Sequence, residues 1–147
     1  MREFTCKNIA TAVITGFLVF SVAEVVAANE GMEHGSKHMS EAMAKQHHMM
    51  AMYVQAQVKI NDSLRKSDAR TVEAEAGKIL VTIPDLKAAK PHKNLTQRKA
   101  MRQIAVAFEA DIKMTVAAAN KGHFARAKSA FAKAEARCNQ CHAKFRD

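Results

Sequence analysis

The sequence predicts an all-α protein, an up-down-up-down antiparallel four-helix bundle, and three observations carry the prediction. Of 147 residues 48% are hydrophobic while five are Gly and two Pro, so there is material for a core and little that interrupts long helices. Four segments repeat apolar residues at the helical period. The connections between those segments are short, which makes sequential helices antiparallel neighbours.

The first 28 residues read as an export signal rather than as fold. Arg2 and Lys7 supply a positive start, Ile9 to Val22 an apolar stretch, and Val26-Ala27-Ala28 a small-residue cleavage site. The apolar stretch is short for a membrane span and Glu24 interrupts its end, so no span is expected after signal removal. The mature chain then runs from Asn29, with residues 29–39 as a Met- and His-rich lead and a four-helix domain to the end. Cys6 leaves with the signal, and the mature chain keeps Cys138 and Cys141.

The first helix, helix A, is expected from about Ser40 to Lys66, with Met39, Met43, His47, Met50, Val54, Asn61 and Leu64 on one face. Asp68 suits the N-cap of a second helix, which places Val72, Ala76, Ile79 and Ile83 inward and is expected to end at Pro84. Residues 84–93 hold both prolines and read as the longest loop. A third helix opens at Asn94, where Asn94 and Gln97 resemble a capping box, and carries Met101, Ile104, Ala105, Phe108, Ile112, Thr115 and Ala119. Gly122 punctuates its end. The fourth begins near His123 and aligns Phe124, Ala127, Phe131, Ala134, Cys138, Cys141, His142 and Phe145.

Cys138-Asn139-Gln140-Cys141-His142 is C-x-x-C-H, the attachment signature of a c-type haem. Two thiols three residues apart share a helical face and add to the two vinyl groups, while the following imidazole is placed to bind the iron. A thioredoxin-like dithiol needs a strand before it, and a zinc site needs more thiols. The composition agrees: much of the apolar content is Ala, a strong helix former that fills little space, and one haem c would supply the missing bulk.

The stretch Ala136-Arg137-Cys138-Asn139-Gln140-Cys141-His142-Ala143-Lys144-Phe145-Arg146, close to the chain end on the last helix, resembles the cytochrome c′ family. The match covers about a sixth of the mature chain. The resemblance implies a periplasmic four-helix bundle whose haem is either five-coordinate or, in low-spin members, bound by a methionine of the first helix. It makes Arg146 the basic residue beside the proximal imidazole. Helix A lacks the arginine that many members place near a haem propionate, and Gln46 is the residue that stands in. Members often dimerise through helix A, where an outward Met49, Met52 and Tyr53 would offer a homodimer contact.

In an up-down-up-down bundle the C-terminus of the fourth helix lies with the N-termini of the first and third. A sixth iron ligand therefore comes from Met39, Met43, His47 or Met50, from Met101, or from His92, whereas Met114 lies too far along its helix. Helical phase turns Met52 and His48 away. Met50 and His47 are best placed, with an empty distal position as the third option. Methionine ligation suits electron transfer, and an empty position admits small gases such as NO or CO.

Six of nine Met and four of seven His lie between Met32 and Met52. Soft thioethers with imidazoles select Cu(I) or Ag(I), so copper or silver binding by this cluster is a further function to test. Loss of the signal leaves the formal charge at +9, as in the whole chain. An acidic redox partner is the expected consequence; nucleic acid is not, because no aromatic-basic stripe accompanies the charge. No Ser/His/Asp set, phosphate loop or carboxylate pair marks an enzyme. The sequence therefore predicts an exported monohaem electron carrier, with gas binding and copper or silver binding as the alternatives.

Overall fold

The computed structural model describes residues 40–146. The expected signal, the lead segment and Met39 lie outside the described residues, as does Asp147. Four α-helices follow in order: α1 Glu41–Lys66, α2 Ala69–Ala88, α3 Arg98–Asn120 and α4 Phe124–Phe145, with a 3-10 turn Leu95–Gln97 before α3. Among the described residues there is no strand, and no helix is long and apolar enough to cross a membrane. The helices pack as a bundle, α1 on α2, α2 on α3 and α3 on α4, whereas α1 packs only sparsely on α4.

Local chemistry sets the helix ends. Ser40 caps α1 by accepting from the Met43 N–H at 3.3 Å, and Glu41 at the start with Arg65 and Lys66 at the end complements the helix dipole. Asp68 caps α2 as the sequence predicts, accepting from the Thr71 N–H at 3.1 Å. Gly122, at φ +74°, closes α3: its N–H donates to the Ala119 carbonyl at 2.8 Å and the His123 N–H to the Ala118 carbonyl at 2.9 Å. Only glycine takes that left-handed position without a Cβ penalty.

Three sequence expectations need correction. Pro84 does not end α2, which continues to Ala88. The missing N–H leaves the Leu80 carbonyl without its usual donor, but the last turn is held by burial of Leu86 and by the Lys87–Glu109 ion pair to α3. Asn94 does not cap α3; it stands at φ +57° before the 3-10 turn, and its side chain makes no capping bond but turns to α4. The buried face of α1 is Met49, Tyr53, Ala56, Ile60, Ser63 and Leu64. The expected stripe is rotated from it: Met43 and Val54 are exposed, and Asn61 donates to Glu135 at 2.8 Å. Met49 and Tyr53 are thus core residues and offer no outward dimer contact.

The core is unevenly distributed along the bundle. Ile60, Leu64, Val72, Ile112 and Phe131 are at most 1% exposed and lie toward the end where α1 finishes and α2 begins, while Ile79 and Ile83, equally buried, extend the core along the middle of α2. Each such side chain contributes about 1.5–3 kcal/mol through burial. Ala118 and Ala119 on α3 and Ala127, Ala130 and Ala134 on α4 are buried as well, and small residues let two helices approach closely. At the opposite end, where α4 finishes, the α1–α4 seam opens. Gln57 and Asn61 span it, and below Gln57 a cleft begins.

Candidate functional site

The last two turns of α4 carry Cys138, Cys141 and His142, at spacings of three and four residues that put them on one helix face. All three line one cleft between α1, α3 and α4. Its walls are Met50, Tyr53 and Val54 of α1, Leu86 of α2, and Met101, Ile104, Ala105 and Phe108 of α3, with Gln57 and Arg137 as polar members. A second cleft opens at the bundle end and is bordered by Gln46, His47, Pro91, His92, Phe145 and Arg146. Met50, Met101, Cys141 and His142 line both, so the two adjoin.

The two cysteines are free thiols, each half-buried. Burial pushes the Cys138 thiol up to about 11, against the opposing pull of the Gln57 side chain, whose Nε2 donates to Sγ at 3.2 Å. Burial also raises the Cys141 thiol. The same desolvation lowers His142 from its ordinary value, and the positive charge of Arg146 adds to the effect. The imidazole is therefore held toward its neutral form, the form that binds a metal.

The end of α4 is tied down by the α2–α3 connection. The N–H groups of His92 and Lys93 donate to the Phe145 carbonyl at 3.1 and 3.3 Å, and Asn94 Nδ2 donates to the Lys144 carbonyl at 2.6 Å. These bonds satisfy carbonyls that a helix terminus leaves without partners. Phe145 itself is 3% exposed, so the turn bearing His142 is anchored by packing and by hydrogen bonds. On the adjacent wall Arg137 Nε donates to Asp111 Oδ2 of α3 at 3.2 Å, and Tyr53 shares a hydrogen bond of 2.9 Å with Thr82. Burial raises the Tyr53 hydroxyl above its ordinary value.

The structure places the expected distal candidates unequally. Met50 is half-buried and lines the same cleft as His142. His47 is exposed, and its ring stacks on that of His92, with centroids 5.6 Å apart and planes 14° from parallel. Gln46 borders the end cleft and not the one that holds Cys138. Met101 is 4% exposed and borders both. Met43 and Met114 are 39% and 40% exposed and line neither cleft. Met52 and His48 likewise point elsewhere, as helical phase predicts.

Gln57, Tyr53, Leu86 and the Arg137–Asp111 pair belong to the site without having been found from the sequence. Gln57 lies seven residues after Met50, two turns along the same face, and that register was its only signal. Asp111 had none, since an acidic residue between apolar ones on α3 reads as a solvated position. Among the described residues no three His, Cys, Asp or Glu side chains converge on a common point as a metal site. No family model matches the chain, and neither a curated protein nor a solved structure matches it.

Proposed function

We propose that this chain is an exported, periplasmic monohaem c-type cytochrome of the cytochrome c′ kind, a one-electron carrier and not an enzyme. Cys138 and Cys141 would hold haem c covalently, and His142 would be the proximal iron ligand. One observation carries the reading: the two thiols and the imidazole of the C-x-x-C-H motif line a single, largely apolar cleft where α1 stands away from α4. When bound, the haem supplies a one-electron iron couple whose potential depends on its axial ligands and on the polarity around it.

The chain's own residues supply the rest. Leu86, Ile104, Ala105 and Phe108 give the cleft apolar walls, with exposed Val54 at its rim, and Gln57 and Arg137 provide donors at its polar side. The bonds to Lys144 and Phe145 hold His142 in register. Met50 is the distal residue we favour, because His47 is occupied in its stack with His92. The position of the thiols argues against a dithiol oxidoreductase. A reactive thiolate is stabilised at a helix N-terminus, whereas these thiols stand in the last turns of α4, where the dipole opposes negative charge.

The test is export of the chain in cells competent to attach haem c, followed by absorption spectra of the ferric and ferrous protein with and without carbon monoxide. A low-spin spectrum with a methionine-to-iron charge-transfer band, lost in Met50→Ala, is the expected result. A high-spin spectrum that shifts at once with the gas would transfer the assignment to gas binding. Absence of covalent haem in the native chain, or its full retention in Cys138→Ala/Cys141→Ala, would refute the proposal. Faster electron exchange with an acidic partner at low salt is the corresponding expectation for the +9 charge.

A further inference from the structure

With Met50 as the favoured distal residue, the haem reading leaves the stacked imidazoles at the bundle end without a ligand role, and they come from separate elements: His47 from α1 and His92 from the α2–α3 connection. We infer that His47 and His92, with the thioether of Met43, form a binding site for a soft monovalent cation, Cu(I). Met43 lies four residues before His47, one turn away on the same face of α1. It borders, with His92 and Gln46, a groove at the bundle end. Rotation of the exposed His47 ring out of the stack brings two imidazoles and a thioether to one ion, a donor set that selects Cu(I) over harder ions.

Two features of the surroundings favour this occupant. His92 is preset for binding: its N–H is bonded to the Phe145 carbonyl at 3.1 Å, and Pro91 before it is buried. Little ordering is left to oppose binding on that side, while exposed His47 and Met43 leave the pair open to a metal donor. The charge nearby is the second feature. Lys45 and Lys90 border the groove, Arg146 borders the adjoining cleft, and the carboxylate of Asp85 is engaged by Lys45 at 2.8 Å. Coulomb repulsion from those cations scales with the charge of the ion. With neutral donors only, a monovalent ion is tolerated where a divalent one is penalised twice over.

The site does not depend on haem attachment, and its test is run so that the two ideas fail separately. The full chain with Cys6, Cys138 and Cys141 replaced by Ser removes thiols that would compete for the metal. Cu(I) is delivered anaerobically from its bicinchoninate complex and affinity is read by competition. One equivalent is expected to bind, with His47→Ala and His92→Ala each weakening binding at least tenfold and His48→Ala leaving it unchanged. Helix content by circular dichroism accompanies each variant, and His47→Ala, at an exposed position, tests the site without disturbing the core. With Ag(I) as the probe, the Met43 methyl resonance is expected to shift and that of Met114 to stay. Binding unaffected by His47→Ala, or resonance changes confined to residues before Ser40, would overturn the assignment, as would failure to take Cu(I) from the chelator.

Discussion

The Arg137–Asp111 pair joins α4 to α3 beside Cys138, and its two halves differ in exposure: 39% for the Arg137 side chain and 9% for that of Asp111. This asymmetry makes removal of either partner a quantitative test. Asp111→Asn leaves a guanidinium that can still reach water through the cleft, so the loss is close to that of one charge-assisted hydrogen bond, about 1.5–2 kcal/mol. Arg137→Ala strips the partner from a carboxylate that water hardly reaches. Breaking a fully buried pair costs about 3–5 kcal/mol, and the partial exposure of the arginine end places this case near the lower limit, about 3 kcal/mol. The double variant Asp111→Asn/Arg137→Ala removes both charges, and its loss should fall short of the sum of the single losses by about 1–2 kcal/mol. Urea denaturation at neutral pH measures all three, with an unchanged m-value as the check that only stability has moved. A larger loss for Asp111→Asn than for Arg137→Ala, or strict additivity, would refute the argument from unequal burial.

Three other expectations follow from the same structure. Ile60→Ala, at a position 0% exposed, should cost about 2–5 kcal/mol by thermal or urea unfolding, whereas Val81→Ala, at 76% exposed, should stay within about 0.5 kcal/mol. Asn94→Gly should lose about 1 kcal/mol with its bond to the Lys144 carbonyl; Asn94→Ala should lose about 1 kcal/mol more, because φ is +57° there, and equal losses would show that the left-handed backbone carries no cost. The Glu109 carboxylate is held below its ordinary value by hydrogen bonds from Lys113 and then Lys87. Its contribution is complete above the unfolded value of about 4.3 and lost as pH falls through the lower folded value, so Glu109→Gln should flatten the acid limb of the stability profile while leaving its alkaline limb unchanged.

Helix existence was legible because each helix announces itself locally. Asp68 before α2, Gly122 after α3 and the apolar spacing of α3 and α4 act within a few residues, and the structure keeps them. The misreadings occur where distant parts of the chain decide. Pro84 is a helix breaker by its own chemistry, but Leu86 in the core and Glu109 on α3 hold the turn beyond it. Asn94 has the composition of a cap, but the open carbonyl of Lys144, fifty residues away, claims its side chain. On α1 an apolar stripe of several equivalent residues fitted more than one rotation about the axis. The packing partners Tyr53 with Phe108 and Tyr53 with Thr82 select the rotation that buries Met49 and leaves Met43 outside.

The candidate site divides in the same way. Cys138, Cys141 and His142 could be read directly, since a spacing of three and four residues on a helix is a local property that fixes a shared face. The opposite wall could not, because it is assembled from three other helices whose mutual rotation and spacing no local pattern specifies. Met50 facing His142 across one cleft, Gln57 on the Cys138 sulfur and His47 drawn off by His92 are outcomes of packing. What the sequence by itself determined is the set of four helices, their order and the motif on the last. The tertiary structure decided which side chains face that motif: helical periodicity is set within a turn of chain, but the rotation and separation of a helix are set only by the surfaces it packs against.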